Sequence, residues 1–127
     1  MILADTSIWV DHLRDGDATM TAHLNAGLVL MHPFVVGELA MGNLPDRAGL
    51  LATLRRLPTV LKARDVEVLD LIEREKLFGR GLGFVDTHLL ASALLTEDAT
   101  LWSRDRRLHA AADRLGIAAT VGARTRH

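Results

Sequence analysis

Cysteine is absent from the 127-residue chain, which removes disulfide staples, thiolate zinc sites and cysteine nucleophiles in one step. Long apolar runs are missing too. The longest uncharged stretch, residues 18–37, contains His23, Asn25, Gly27, His32 and Pro33, a mixture foreign to a membrane helix of about twenty apolar residues. Only Met1-Ile2-Leu3-Ala4 precedes Asp5, too little for the basic and apolar regions of a secretory signal. Nor is there an excess of basic charge to announce a nucleic-acid binder, the net charge being −1. His12, His23, His32, His88, His109 and His127 show no HExxH spacing. Gly79-Arg80-Gly81-Leu82-Gly83 lacks a Walker ending, and Ser7 and Ser92 lack a His-Asp arrangement. The expectation is a soluble, cytoplasmic protein with no membrane segment.

What is present is enough for one domain spanning residues 1–127, with a short basic tail from about residue 122. Such a length buries roughly two-thirds of the surface that the unfolded chain exposes. Short apolar runs alternate with helix-like periods. Ile2-Leu3-Ala4, Leu28 to Met31, Thr59 to Leu61, Thr100 to Trp102 and Ile117 to Val121 read as strands. Between them, helices are expected from Thr6 or Ser7 to Arg14, Ala18 to Asn25, Pro33 to Gly42 and Asp46 to Leu57. Three more follow: Asp65 to Phe78 with Val68, Leu69 and Ile72 inward, Asp86 to Glu97, and Arg106 to Arg114. That alternation predicts an α/β fold with a mostly parallel sheet of about five strands covered on both faces.

Four acids fall where a ligand site in such a sheet would lie, outside the carboxyl ends of the strands. Asp5 follows the first strand and Asp105 follows Leu101-Trp102-Ser103, so both stand over one crevice if those strands are neighbours. Asp86 opens a helix. Glu38 is the lone charge in Phe34-Val35-Val36-Gly37-Glu38-Leu39-Ala40-Met41-Gly42, a segment too apolar to be solvated all round, so a cationic partner is expected for it. Helix capping explains Asp5, Asp86 and Asp105 separately as well as ligation does. Were the four to converge, their repulsion would call for a divalent cation, and oxygen ligands without thiolates favour Mg²⁺ or Mn²⁺ over zinc. Such a cation activates water and stabilises charge on a phosphodiester in transit. The charge distribution agrees: acids dominate residues 1–50, whereas Arg104, Arg106, Arg107, Arg114, Arg124 and Arg126 dominate from 103 onward.

The ordered set Asp5-Thr6-Ser7, Phe34-Val35-Val36-Gly37-Glu38-Leu39, Val85-Asp86-Thr87-His88-Leu89-Leu90-Ala91 and Leu101-Trp102-Ser103-Arg104-Asp105-Arg106-Arg107-Leu108 resembles the PIN-domain ribonucleases. More closely, it resembles the VapC toxins of bacterial type II toxin–antitoxin pairs. The resemblance implies a three-layer α/β/α PIN-like domain whose acidic quartet, Asp5, Glu38, Asp86 and Asp105, holds Mg²⁺ or Mn²⁺ and orients the attacking water. Thr6 and Ser103 would support it. It also implies cleavage of structured RNA, transfer or ribosomal, leaving a 5′-phosphate and a 3′-hydroxyl, as well as a homodimer silenced by a VapB-like antitoxin. Arg80, Arg104 and Arg106 are the candidate RNA contacts. A non-catalytic module that binds RNA or a partner, with the carboxylates acting only as caps, is the alternative.

Overall fold

The computed structural model describes residues 1–121; the expected basic tail lies outside the described residues. Three strands, β1 (Ile2–Ala4), β2 (Val29–Leu30) and β3 (Thr100–Trp102), form a parallel sheet in the order β2-β1-β3. Seven helices flank it: α1 (Thr6–Asp15), α2 (Ala18–Asn25), α3 (Pro33–Ala40), α4 (Arg47–Arg55), α5 (Asp65–Glu75), α6 (Phe84–Leu95) and α7 (Arg106–Arg114). All of β1 and β2 is buried, as expected of a parallel sheet covered by helices. Among the described residues no helix is long and apolar enough to cross a membrane.

The α/β architecture agrees with the sequence reading, but the sheet has three strands rather than about five. Both missing strands survive as single parallel bridges at its edges, Met31 with Thr59 and Leu101 with Ala118. Their other donors are engaged elsewhere. The Leu61 N–H donates to Thr96 Oγ1 at 2.9 Å and the Ala63 N–H to Ser92 Oγ at 3.0 Å, so α6 hydroxyls replace a ladder. On the opposite edge the Ile117 N–H donates to the Ala112 carbonyl at the end of α7.

Helix boundaries and faces differ in ways that matter for the site. Asp5, not Thr6 or Ser7, caps α1, its carboxylate accepting from the Ile8 N–H. Helix α6 starts at Phe84, which places Asp86 in its first turn rather than at its cap. Asp46 precedes α4 in a left-handed conformation and makes no side-chain cap bond. Helix α5 ends at Glu75, where Lys76 takes φ 54°, and it buries Val68 and Leu71 while Leu69 faces outward.

Candidate active site

The pairing of β1 with β3 decides the geometry. Ala4 is in register with Trp102, and the Asp5 N–H donates to the Trp102 carbonyl at 3.0 Å. The first acid therefore stands beside the Ser103 that precedes the last. Ser103 donates its hydroxyl proton to Asp5 Oδ2 and accepts the Asp105 N–H at 2.9 Å. Ser7 donates to Asp5 Oδ1 at 2.5 Å, and the Ile8 N–H reaches the same oxygen at 3.2 Å. The Asp5 carboxylate is thus fixed by three donors while only 5% exposed. Burial raises its carboxyl above the usual range, and the bonds from Ser103, Ser7 and Ile8 work against that rise.

The other three acids are less enclosed. Asp105 caps α7, Oδ1 accepting from the Arg107 and Leu108 N–H groups at 2.9 and 3.1 Å. Asp86 receives only a long 3.4 Å bond from the Gly83 N–H, on Oδ2. Its carboxyl is also raised, first by burial and then by the negative fields of Asp105, Asp5 and Glu38. That field is consistent with four acids on one side of the sheet, spaced loosely rather than packed together. Four Asp or Glu side chains from β1–α1, α3, α6 and β3–α7 share the carboxyl end of the sheet, and none of the four forms an ion pair among the described residues.

Glu38 departs from its sequence-based expectation. It is exposed, not buried, and among the described residues no cation pairs with it; its Oε1 accepts the Thr6 hydroxyl at 2.5 Å. Helix α3 buries Val35 and Leu39, and its Glu38 and Leu39 line a groove shared with Val10, Leu13, Arg14, Leu44 and Pro45. An uncharged helix therefore leaves one side open, and Glu38 projects from it.

Among the described residues no three His, Asp or Glu side chains are gathered tightly enough to hold a metal ion. The chemistry of the donor set nevertheless fits a hard divalent cation. Carboxylates and hydroxyls dominate it, and among the described residues Asp86 Oδ1, Asp105 Oδ2 and Glu38 Oε2 accept no hydrogen bond. Mg²⁺ retains several of its own waters and needs only one or two direct carboxylates, a demand the looser spacing meets.

Of the supporting residues, Thr6 and Ser103 lie in the site as described. Ser7 was not singled out, although a hydroxyl two residues after an Asp is a recognisable local turn pattern. The candidate RNA contacts separate. Arg104 donates to Asp11 Oδ2 at 2.7 Å and to Asp17 Oδ2 at 2.9 Å, partners 93 and 87 residues away that no local pattern reveals. Arg80 donates to the Lys76 carbonyl at 2.8 Å beyond the end of α5. Arg106 is exposed at the start of α7.

Comparison with known proteins gives the family and agrees with the fold. The PIN domain family model matches residues 2–114. Two curated proteins, both Ribonuclease VapC32, from the CDC 1551 / Oshkosh and H37Rv strains of Mycobacterium tuberculosis, are each 46% identical over 121 residues. Each alignment covers 93% of this chain and 95% of the relative. The crystal structure of PAE2754 from Pyrobaculum aerophilum superposes with a TM-score of 0.54 at 19% identity, covering 86% of this chain and 84% of that one, a likeness of fold. The chain belongs to the PIN-domain family and, within it, to the VapC proteins.

Proposed function

We propose that this PIN-domain chain is a single-domain toxin of a toxin–antitoxin pair that hydrolyses phosphodiester bonds of structured RNA, transfer or ribosomal, in the cytoplasm with Mg²⁺ or Mn²⁺. What supports the reading is the placement of four carboxylates at the carboxyl end of the sheet, none of them in an ion pair among the described residues. Asp5, Glu38, Asp86 and Asp105 hold the cation, which when bound lowers the pKa of water and offsets charge on the phosphate. Ser7 and Ser103 fix the Asp5 carboxylate, and Thr6 fixes Glu38. Water adds to phosphorus and gives up its proton to a pocket carboxylate. The bond from phosphorus to the 3′-oxygen breaks and that oxygen takes up a proton from water, leaving a 5′-phosphate and a 3′-hydroxyl. A VapB-like antitoxin and a second copy of the chain are the partners this reading adds, in line with the relatives' names and the family resemblance.

One observation favours the alternative of a non-catalytic module: Asp5 and Asp105 do cap helices. Asparagine caps a helix about as well as aspartate, so Asp→Asn replacement separates the two roles. Purified protein is expected to cut RNA with Mg²⁺ or Mn²⁺, to stop on addition of EDTA and to resume when the metal is restored. Asp5→Asn is expected to melt near the parent temperature yet cut no RNA; cutting that continues in EDTA, or in Asp5→Asn, would overturn the catalytic reading.

A further inference from the structure

Opposite charge gathers on the other side of Ser103. A cavity of about 840 Å³ is lined by Ser103, Arg104, Arg106, Arg107, His109 and Ala110, and the Ser103 hydroxyl that donates to Asp5 makes it the common wall of the two sites. The three arginines are not equivalent. Arg104 is clamped between Asp11 and Asp17, and its guanidinium lies 5.7 Å from the Trp102 ring centroid. Among the described residues, the side chains of Arg106 and Arg107 enter no ion pair and no hydrogen bond.

Arg107 is positioned by shape instead of by a counter-charge. A methyl group at position 81 would come within 2.9 Å of its Cδ and 3.0 Å of its Nε and Nη1, and Gly81 takes φ 78°, a conformation that favours glycine. The side chain therefore lies along the backbone of the 79–83 loop. That loop also meets the acids, because its Gly83 N–H donates to Asp86. One short segment thus touches Asp86 on one side and Arg107 on the other.

We propose that Arg106 and Arg107 form a phosphate-gripping subsite that holds the backbone of an RNA strand beside the scissile bond, and that Arg104 takes no part in it. The proposal rests on the ribonuclease reading for the identity of its polyanion. Its physical need is plain: four carboxylates repel a phosphodiester, and two unpaired guanidinium forks next to them match phosphate geometry and offset that repulsion. Arg104 has the right charge but already has two carboxylate partners. Arg106 and Arg107 are positioning residues in this account.

The test is binding of a fluorescein-labelled oligouridylate, followed by anisotropy against salt in protein carrying Asp86→Asn, so that the probe stays intact. Each phosphate contact contributes about 0.7 to the slope of log K against log salt for a single strand. Arg106→Gln and Arg107→Gln should each lower the slope by about that amount and melt with the parent. Arg107→Lys should restore the slope in part, which a purely structural role would not produce. Arg104→Gln should lower the melting temperature and leave the slope unchanged. An unchanged slope in Arg107→Gln, or an equal drop in Arg104→Gln, overturns the assignment. This outcome is independent of the catalytic one: if wild-type protein binds through the arginines yet cuts no RNA, the subsite stands and the nuclease reading falls.

Discussion

Helices α3 and α6 each serve two regions that handle polar groups in opposite ways. They carry Glu38 and Asp86 into the acid pocket. Beside that pocket, His32 caps α3, and His88 and Ser92 of α6 lie fully buried, with Phe34 and Phe84 packed against His88 at ring-centroid distances of 4.8 Å. In the histidine region the bonds define the state. His32 Nδ1 accepts the Phe34 N–H at 2.9 Å, so Nε2 carries the proton and donates to Ser92 Oγ at 3.2 Å; the same oxygen accepts the Ala63 N–H. His88 Nε2 faces Asp65 Oδ1 at 3.0 Å, and its buried Nδ1 has no partner. The bonds among His32, Ser92 and Ala63 are closed within the fold, whereas the pocket acids, which form no ion pair among the described residues, leave a demand for an outside cation.

The largest way to test that contrast is to remove charge from the pocket. Asp5→Asn keeps a capping side chain, so RNA cleavage should fall about 100- to 1000-fold, the size of losing a group that manages transition-state charge, with the melting temperature within a few degrees of the parent. A variant that keeps cleaving would show that the pocket is structural, like its neighbour. Acid should break the other region. Burial first, and then His88 and Lys62, lower the pKa of His32 to about 4 from its ordinary 6.5. The folded state therefore binds fewer protons than the unfolded chain between those values, and stability is lost as pH falls through that window, by on the order of 2–3 kcal/mol. Thermal melts of wild type and His32→Asn across it should differ in slope; parallel curves would remove His32 as the cause.

Much of the pocket was legible because its pieces follow local rules. Asp5 directly follows one strand and Asp105 comes shortly after another, each capping a helix, and the parallel pairing of β1 with β3 then links them through Ser103. Glu38 was legible as unusual but not in its exposure. Whether the open side of an apolar helix is covered depends on packing against α1 and α4, which sequence periodicity does not carry. The edge strand at Thr59 failed for a similar reason: Thr96 and Ser92 hydroxyls take the N–H groups of Leu61 and Ala63 from residues about thirty positions away. The histidine region was invisible as a unit, since His32, Ala63 and Ser92 come from three separate segments.

Two buried serines sharpen the comparison at intermediate size. Ser103→Ala removes one donor from Asp5, and an orienting bond of this kind is typically worth 10- to 100-fold in activity at a metal site, so cleavage should fall by about that much. Ser92→Ala strands the Ala63 N–H and His32 Nε2–H, and the loss should appear as about 1–3 kcal/mol of stability. Urea unfolding and an RNA cleavage assay on both variants read the two effects together. If Ser92→Ala were the one to lose specific activity, the two regions would be mechanically coupled along α6, and the division drawn between them would fail.

The smallest effect has the opposite sign from most substitutions. Asp86 is raised by burial and by three neighbouring carboxylates, so its folded state holds a proton more readily than the unfolded chain, and metal-free stability declines as pH rises above about 3.8 through the raised value. Asp86→Asn removes that repulsion. At neutral pH in EDTA the variant should melt higher than wild type by about 1–3 °C, a small figure because the pocket is open to solvent and screened. Adding Mg²⁺ should then raise the melting temperature of wild type more than that of the variant, closing or reversing the gap. A variant that melts lower than wild type in EDTA would mean that Asp86 is held by favourable contacts, as His32 is, and that the acid pocket carries no unmet charge.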